Sequence, residues 1–206
     1  MDKHCKKSGR KIYIYTKGSK YINKKESFTM LENFEKDLAI GKRAEDVVLH
    51  TFAALSDDYA FEDVSGIQEY YYKGDIKATD KFGREIFIEV KNDSRIHKTG
   101  NILCEEEVYY RYYDYYGKGN MSANYDIYCV VSEQARKIYV IDFDILKEIY
   151  TKGEFKVIEH SAQTTYCYLL DVDTIAAKGR INRYNKLLKK ENEYEYLAIT
   201  RFKRYE

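Results

Sequence analysis

The sequence predicts an α/β fold. Three patterns support this prediction: a helical periodicity of apolar residues over 30–55, a hairpin pattern over 73–93, and later apolar runs of strand length next to short helical segments. The chain has 206 residues, 44 % of them hydrophobic, which is enough to bury a core without disulfide bonds. No Pro/Gly/Ser-rich linker or internal repeat divides it, so we expect a single domain over residues 1–206.

The first predicted element is a helix over residues 30–55, either continuous or broken near Gly41. Residues 56–58 and 63–66 are predicted loops, and residues 67–72 are predicted to form a tyrosine-rich strand. The apolar residues that set the helical spacing are Leu31, Phe34, Leu38, Ala44, Val47, Val48, Phe52 and Leu55.

The hairpin pattern predicts two strands joined by a turn at residues 80–83, because Gly83 can adopt the positive φ of a tight connection. Side chains alternate along a strand, so Glu89 and Lys91 point to the same face. Pairing within the hairpin would bring Asp75 beside Glu89. We therefore expect two acids and one lysine to converge.

This group of charges suits phosphodiester hydrolysis with a hard divalent cation. Mg²⁺ prefers oxygen ligands, retains several waters and commonly takes further ligands from substrate phosphate. An adjacent lysine can hold the attacking water, or accept its proton once the lysine pKa is lowered, and it offsets charge on the phosphate. We therefore predict that Asp75 and Glu89 bind Mg²⁺ or Mn²⁺, and that Asp75, Glu89 and Lys91 are catalytic.

The same residues resemble the motif of the PD-(D/E)XK nuclease superfamily. That motif is an acid, a spacer that contains a hairpin, and then Asp or Glu, any residue and Lys. Here the pattern is Gly74-Asp75, thirteen residues, and Glu89-Val90-Lys91. Gly74 therefore stands where the family motif has proline.

The resemblance covers residues 31–132. It implies a mixed central β-sheet flanked by helices, a core similar to that of restriction endonucleases and Holliday-junction resolvases, with residues 133–206 as a C-terminal elaboration. In the family, the helix before the core sheet contributes a glutamate to the metal site, and Glu45 occupies the comparable place. A surface carboxylate paired with Lys42 is the alternative for Glu45. The resemblance also implies the main-chain carbonyl of Val90 as a metal ligand.

Two other segments contain an acid, any residue and a lysine, namely Asp75-Ile76-Lys77 and Glu154-Phe155-Lys156. Glu154-Phe155-Lys156 follows a predicted helix and lacks the preceding turn and Gly-Asp pair, so we prefer Glu89-Val90-Lys91. Glu105, on a predicted strand over 101–108, is a candidate further ligand, although an exposed acidic strand is the favoured interpretation.

Residues 109–117 have the most unusual composition, with six tyrosines around Arg111 and Asp114. Tyrosine and arginine present flat faces that can stack on exposed bases or on a partner protein. The chain has 23 tyrosines in all, so a bias in gene composition is the alternative explanation. The remaining chain predicts strands over 125–132, 137–143, 155–159 and 165–170, a helix over 144–150 and a basic helical segment over 172–188.

Several protein classes are disfavoured. The four cysteines and four histidines are dispersed, without the paired spacing of a zinc site. Gly117-Lys118-Gly119 lacks the Ser or Thr that a phosphate-binding loop requires. No apolar run has the length of a membrane-spanning helix, and the lysine-rich start lacks the hydrophobic middle of a secretion signal, so we expect a cytoplasmic protein.

The expected partner is nucleic acid. DNA is preferred because restriction, repair, recombination and phage DNA processing are the commonest roles of the family. An RNase on the same scaffold and a non-catalytic module that binds nucleic acid or protein are the alternatives. No membrane partner is expected, and a homodimer is left open.

The net charge is only +1, but residues 1–25 carry nine Lys or Arg against one acid, and residues 178–190 are also basic. We interpret residues 1–26 as a basic arm that neutralises phosphates, with solvated surface charge as the alternative.

Removal of residues 1–25 is expected to lower DNA affinity and its dependence on salt, because fewer counterions are then released on binding. The chemical step should be retained. Titrations of DNA binding over a range of salt concentrations test this, and an unchanged slope would contradict the basic-arm interpretation.

Overall fold

A central β-sheet runs through the protein in this computed structural model. The structure describes residues 4–7, 10–13, 24–160, 162–178, 180–183 and 194–200, and the side chains of residues 35–160 and 162–178 and of Tyr194. The described elements are, in chain order, β1 (His4–Lys7), β2 (Arg10–Tyr13), α1 (Lys24–Leu55), β3 (Tyr59–Asp63), β4 (Ile76–Asp80), β5 (Glu85–Asn92), α2 (Ile96–Thr99), β6 (Asn101–Tyr110), β7 (Tyr115–Lys118), β8 (Ile127–Ser132), β9 (Lys137–Asp142), α3 (Phe143–Ile149), β10 (Glu154–Glu159), β11 (Gln163–Asp171), α4 (Val172–Ala176), β12 (Arg180–Arg183) and β13 (Glu195–Thr200).

The central sheet contains seven strands over the described residues, in the spatial order β12-β13-β9-β8-β5-β4-β3. Strands β3, β4 and β5 form an antiparallel meander. Strand β8 then pairs parallel to β5, and β13 pairs parallel to β9, whereas the other pairs are antiparallel. The sheet is therefore mixed, and the prediction of an α/β fold is confirmed.

Helix α1 covers one face of the central sheet. Ala44 and Val48 of the helix are fully buried and pack on Ile88 and Val90 of β5, because helical periodicity brings residues four apart to the same side. The helix is continuous through Gly41, so the chain adopts the unbroken form of the predicted helix. No helix among the described residues combines the length and apolar character needed to cross a membrane.

The opposite face of the central sheet packs against helix α3 and a second, antiparallel sheet with the order β10-β11-β6-β7. Tyr128 and Val130 of β8 meet Ile102 and Leu170 of the second sheet there, and all four side chains are buried. The segment between β5 and β8 thus supplies much of this layer. Side chains of β5 that point away from α1 lie on this side.

The predicted hairpin is confirmed. Strands β4 and β5 pair antiparallel, and the connecting turn closes through hydrogen bonds of Asp80: its N–H donates to the Arg84 carbonyl (3.0 Å), and its carboxylate accepts from the N–H groups of Phe82 (2.8 Å) and Arg84 (2.9 Å). Gly83 has φ +79°, the positive value expected for the turn. The carboxylate of Asp80 therefore fixes the connection that sets the register of the hairpin.

The predicted strand over residues 67–72 is wrong. That segment contains a 3₁₀ turn at Gln68–Tyr70, and the first strand of the meander is β3. Tyrosine favours strands chiefly because its ring fits a half-buried pleated surface. Here Tyr70 lies in a turn, and its ring still packs on the β-sheet, with its centre 5.7 Å from the centre of the Phe87 ring. Tyr71 and Tyr72 are exposed.

The predicted helix over residues 172–188 is also wrong beyond its first turn. Helix α4 ends at Ala176, and residues 180–183 form β12. Ile181 pairs with Ile199 of β13, so pairing at the edge of the central sheet competes successfully with helix propensity. Residues 184–188 lie outside the described part of the chain. Within the basic arm, residues 4–7 and 10–13 form the β1–β2 hairpin, and residues 14–23 are not among those described.

Gly74 sets the entry into β4. Its φ is +137°, and a β-carbon built there would lie 2.7 Å from the Ile88 carbonyl oxygen. A side chain at this position would therefore meet rigid backbone in a conformation that L-residues rarely adopt. Gly41 differs, since a β-carbon there would meet nothing within 4 Å.

Alanine at these two glycines should change stability in opposite directions. Gly74→Ala is expected to lower the free energy of unfolding by about 1–3 kcal/mol through backbone strain. Gly41→Ala should raise it by about 0.5–1 kcal/mol, because alanine restricts the unfolded chain and favours a helix interior. Urea unfolding of both variants gives the values, and a Gly74→Ala protein as stable as the parent would refute the strained entry.

Candidate active site

Asp75 lies where β4 stops pairing with β5. The strand ladder ends at the pair Ile76 and Ile88, and the Asp75 N–H donates to the Ile88 carbonyl at 2.9 Å. Beyond this point the Val90 N–H has no partner on the β4 main chain. It donates instead to Oδ2 of the Asp75 carboxylate at 2.8 Å. The main chain of β5 therefore holds the Asp75 carboxylate in place.

Glu89 and Lys91 project together from β5, on the face away from α1, as their alternation predicts. Their side chains form an ion pair, with Lys91 Nζ 2.5 Å from Glu89 Oε1. Only 9 % of the Glu89 side chain is exposed, against 42 % for Lys91. The two acids and the lysine of the predicted site thus lie in one group, with the glutamate buried and the lysine reaching solvent.

The protonation of Asp75 is strongly perturbed. Burial raises the pKa of its carboxyl to about 7, and the neighbouring charge of Glu89 acts in the same direction. The Val90 N–H and the charge of Lys91 oppose this rise, and Glu45 adds to it. Two carboxylates in one partly buried place disfavour each other's ionised form, so Asp75 holds its proton up to neutral pH.

Lys91 remains a cation. Burial opposes its charged form, but the Glu89, Asp75 and Glu105 carboxylates outweigh burial and raise the pKa of the ammonium above its usual range. Solvent reaches part of the side chain and screens these interactions in part. At neutral pH the site therefore contains a protonated lysine beside more than one acid.

Glu105 approaches the group from β6. Burial raises the pKa of its carboxyl, which also interacts with the charges of Lys91 and Glu89. A β-bulge makes this approach possible: Glu107 pairs with Tyr166 and Glu105 with Cys167, so Glu106 is the extra residue. The favoured interpretation of an exposed acidic strand is therefore wrong for Glu105. A bulge leaves no clear mark in the sequence, which explains the error.

Tyr125 is a residue that the sequence did not assign to the site. Its hydroxyl hydrogen-bonds Glu89, and burial together with the charge of Glu89 raises the pKa of Tyr125 above its usual range. The ring packs on Phe143 at 4.9 Å, which fixes its direction. Tyr125 precedes β8, and its role arises from the parallel pairing of β8 with β5, a long-range contact.

Glu45 lies at the edge of this group. Its Oε2 accepts a hydrogen bond from Lys42 Nζ at 2.9 Å, which is the pairing expected for a surface carboxylate. However, only 16 % of the Glu45 side chain is exposed, and its negative charge contributes to the raised pKa of Asp75. Lys42 also binds Ser65 Oγ at 3.1 Å and the carboxylate of Asp63. Glu45 thus combines features of both predicted interpretations.

The carbonyl of Val90 stays a predicted ligand. The N–H and C=O groups of one strand residue leave the strand on the same side. The Val90 N–H binds Asp75, so the carbonyl of the same residue is directed toward that side as well.

The two other acid-x-Lys segments have different surroundings. Lys156 pairs with Glu154 on the outer strand β10 of the second sheet, next to an exposed Phe155. Lys77 pairs with Glu62 at 2.8 Å, across the β3–β4 ladder. These ion pairs account for both lysines without a buried acid cluster, which supports the preference for Glu89-Val90-Lys91.

The oxygen donors of the site fit a hard dication. Asp75 and Glu89 place two carboxylates together, and their mutual repulsion is what a divalent cation would offset. Over the described residues, no group of three or more His, Cys, Asp or Glu is arranged to hold a metal ion. If Mg²⁺ or Mn²⁺ binds here, Asp75, Glu89 and the Val90 carbonyl, with Glu45 at the edge, are the residues that would hold it, and water or substrate would supply the remaining ligands.

The tyrosine-rich segment forms the β6–β7 hairpin. Tyr109 and Tyr116 face each other across the strands at 4.6 Å, and Tyr112 and Tyr113 are exposed at its tip. Asp114 accepts a hydrogen bond from the Tyr109 hydroxyl at 2.8 Å and adopts a positive φ of 46°. The unusual composition thus builds a ladder of rings on a hairpin, and base or protein stacking by it stays a prediction.

Stability should depend on pH through Asp75. Its ordinary pKa is 3.8, and its pKa in the folded protein is about 7, so between these values the folded protein holds a proton that the unfolded chain releases. Folding is therefore favoured less as pH rises through this range. Asp75→Asn, which cannot ionise and can still accept from Val90, should gain stability relative to the parent as pH rises from about 4 to about 7. Urea midpoints measured with a chelator at each pH test this, and parallel curves for the two proteins would rule it out.

Comparison with known proteins gave no match: no protein-family model, no curated protein and no solved structure matches the chain. The resemblance to PD-(D/E)XK nucleases therefore depends on this chain's own residues. Its one departure from the motif has a structural cause, because proline fixes φ near −65° and Gly74 has φ +137°. The candidate site is defined by Asp75, Glu89 and Lys91, with Glu105 and Tyr125 beside them.

Proposed function

We propose that the protein is a metal-dependent nuclease that hydrolyses phosphodiester bonds, with DNA as its substrate. The observation that carries this proposal is the convergence of Asp75, Glu89 and Lys91, in which burial and Glu89 raise the pKa of Asp75 to about 7. Strongly perturbed pKa values cluster at functional sites. The basic residues of the N-terminal arm are consistent with a phosphate-bearing substrate.

Each residue has a distinct role in this proposal. Asp75 and Glu89 would hold Mg²⁺ or Mn²⁺, with the Val90 carbonyl as a further ligand, and Glu45 would complete or tune the metal site. When bound, the ion would lower the pKa of a coordinated water and polarise the phosphate. Asp75 must lose its proton to act as a ligand, so metal binding should strengthen as pH rises through about 7.

Lys91 acts in the proposal as a cation. Its carboxylate neighbours raise the lysine pKa against the effect of burial, so the ammonium holds its proton at neutral pH. It therefore suits positioning of the attacking water and stabilisation of charge on the scissile phosphate better than removal of a proton.

The alternative is a non-catalytic binding module, in which Glu89 and Lys91 would form only a surface ion pair. The burial of Glu89 argues against that interpretation, because only 9 % of its side chain is exposed. Burying the Glu89 carboxylate is costly, because the ionised group loses its contact with water. A purely structural surface pair would not need this burial, which favours a functional role. An RNase on the same scaffold differs only in the sugar, and cleavage of matched DNA and RNA substrates decides between them.

Lys91→Ala should lower the rate of DNA cleavage by at least about 100-fold, since it removes the cation that stabilises charge on the reacting phosphate. Lys156→Ala is the matched control, because Lys156 also follows an acid by two residues and pairs with it, on strand β10 away from the site. The control should cut at the parental rate. Linear, branched and single-stranded DNA with Mg²⁺ or Mn²⁺ are the substrates.

Asp75→Ala and Glu89→Ala should lose both cleavage and metal binding, the latter measured by calorimetry, while Lys91→Ala should still bind metal. Thermal unfolding of each variant shows whether the fold is retained. Full activity of Lys91→Ala would overturn the assignment. DNA binding by the parent without any cutting would establish the non-catalytic module instead.

A further inference from the structure

Lys73 is a cation next to the candidate site that is held by aromatic rings. Its ammonium nitrogen lies 5.3 Å from the ring centre of Tyr70 and 5.1 Å from that of Phe87. Among the described side chains it pairs with no carboxylate. Cation–π contacts fix an ammonium group without neutralising its charge, so Lys73 stays available to an anion.

The neighbouring cations differ from Lys73 in this respect. Lys42 binds Glu45, Lys77 binds Glu62, and Lys91 binds Glu89. Lys77 has the most similar surroundings, because its ammonium also lies near the Tyr70 ring, 5.4 Å from the ring centre. The charge of Lys77 is compensated at 2.8 Å, whereas that of Lys73 is not.

The position of Lys73 relates directly to the site. Lys73 precedes Asp75 by two residues, and the Phe87 ring beneath its ammonium is on the same face of β5 as Glu89. Residues two apart on a strand are separated by roughly 7 Å. Phe87 and Glu89 are therefore about one such step apart along β5, so a phosphate at the ammonium above Phe87 would be the neighbour, along a strand, of a phosphate at Glu89.

The segment that carries Lys73 is fixed in place. The Lys73 N–H donates to the Tyr70 carbonyl at 2.7 Å, and the Asn124 N–H donates to the Tyr72 carbonyl at 3.3 Å. Tyr71 and Tyr72 on the same segment are exposed. A phosphate bound at Lys73 would thus meet a cation that is already held in place, above the rings of Tyr70 and Phe87.

We propose that Lys73 binds the backbone phosphate adjacent to the scissile one, in a nucleic-acid strand. This subsite rests on the proposed nuclease function. It recognises the phosphodiester backbone and not a base, so it contributes to affinity and register without sequence preference.

Lys73→Ala should weaken binding of intact DNA about tenfold, by loss of a hydrogen bond to a charged group, and should reduce the slope of log affinity against log salt by about 0.9. Lys77→Ala is the matched control and should leave the slope unchanged. Both changes are made in the Lys91→Ala background with Mg²⁺, so that DNA stays uncut during the titration. In the active protein, Lys73→Ala should raise KM more than it lowers kcat, and Lys73→Arg should restore most of the affinity.

The outcomes separate the subsite from the function. If Lys73→Ala binds DNA with the parental slope, or if Lys77→Ala loses as much, the subsite is wrong even when the parent cuts DNA. If the parent does not cut and the slope still falls only in Lys73→Ala, the nuclease proposal fails while the phosphate contact is upheld.

Discussion

The hydrogen bond from the Val90 N–H to the Asp75 carboxylate is the interaction on which the candidate site depends. The β4–β5 ladder ends one residue after Asp75, where Gly74 packs closely on the Ile88 backbone with a positive φ. The carboxylate therefore occupies the position that strand backbone would otherwise take. Because the main chain fixes this oxygen, the acid stays beside Glu89 whatever rotamer Lys91 adopts.

The charge of the site follows from this placement. Asp75, Glu89 and Glu105 outnumber Lys91, and all three acids are at least partly buried. Such an excess is unfavourable unless a positive species offsets it. A proton on Asp75 offsets it near neutral pH, and a divalent cation would do so at higher pH. The raised pKa and the proposed metal affinity thus have one electrostatic cause.

The sequence predicted what depends on local pattern. Alternation along β5 gave the common face of Glu89 and Lys91, the Gly83 turn gave the hairpin, and helical spacing gave α1. The parts it missed depend on distant partners. Tyr125 joins the site through the pairing of β8 with β5, and Glu105 joins it at a bulge in β6. The strand predicted over residues 67–72 does not form, because a tyrosine ring packs equally well from a turn.

The insertion of β6 and β7 between β5 and β8 has a consequence for folding order. Asp75, Glu89 and Lys91 belong to one hairpin, whose strands are joined by a short loop. Pairing of β8 with β5 must instead close a loop of residues 93–126, which costs more conformational entropy. We expect the three motif residues to assemble early, while water still surrounds them. Their raised pKa values depend on burial, so we expect them to arise only once β6 and β8 enclose the group, and an incompletely folded chain carries the same residues as ordinary acids.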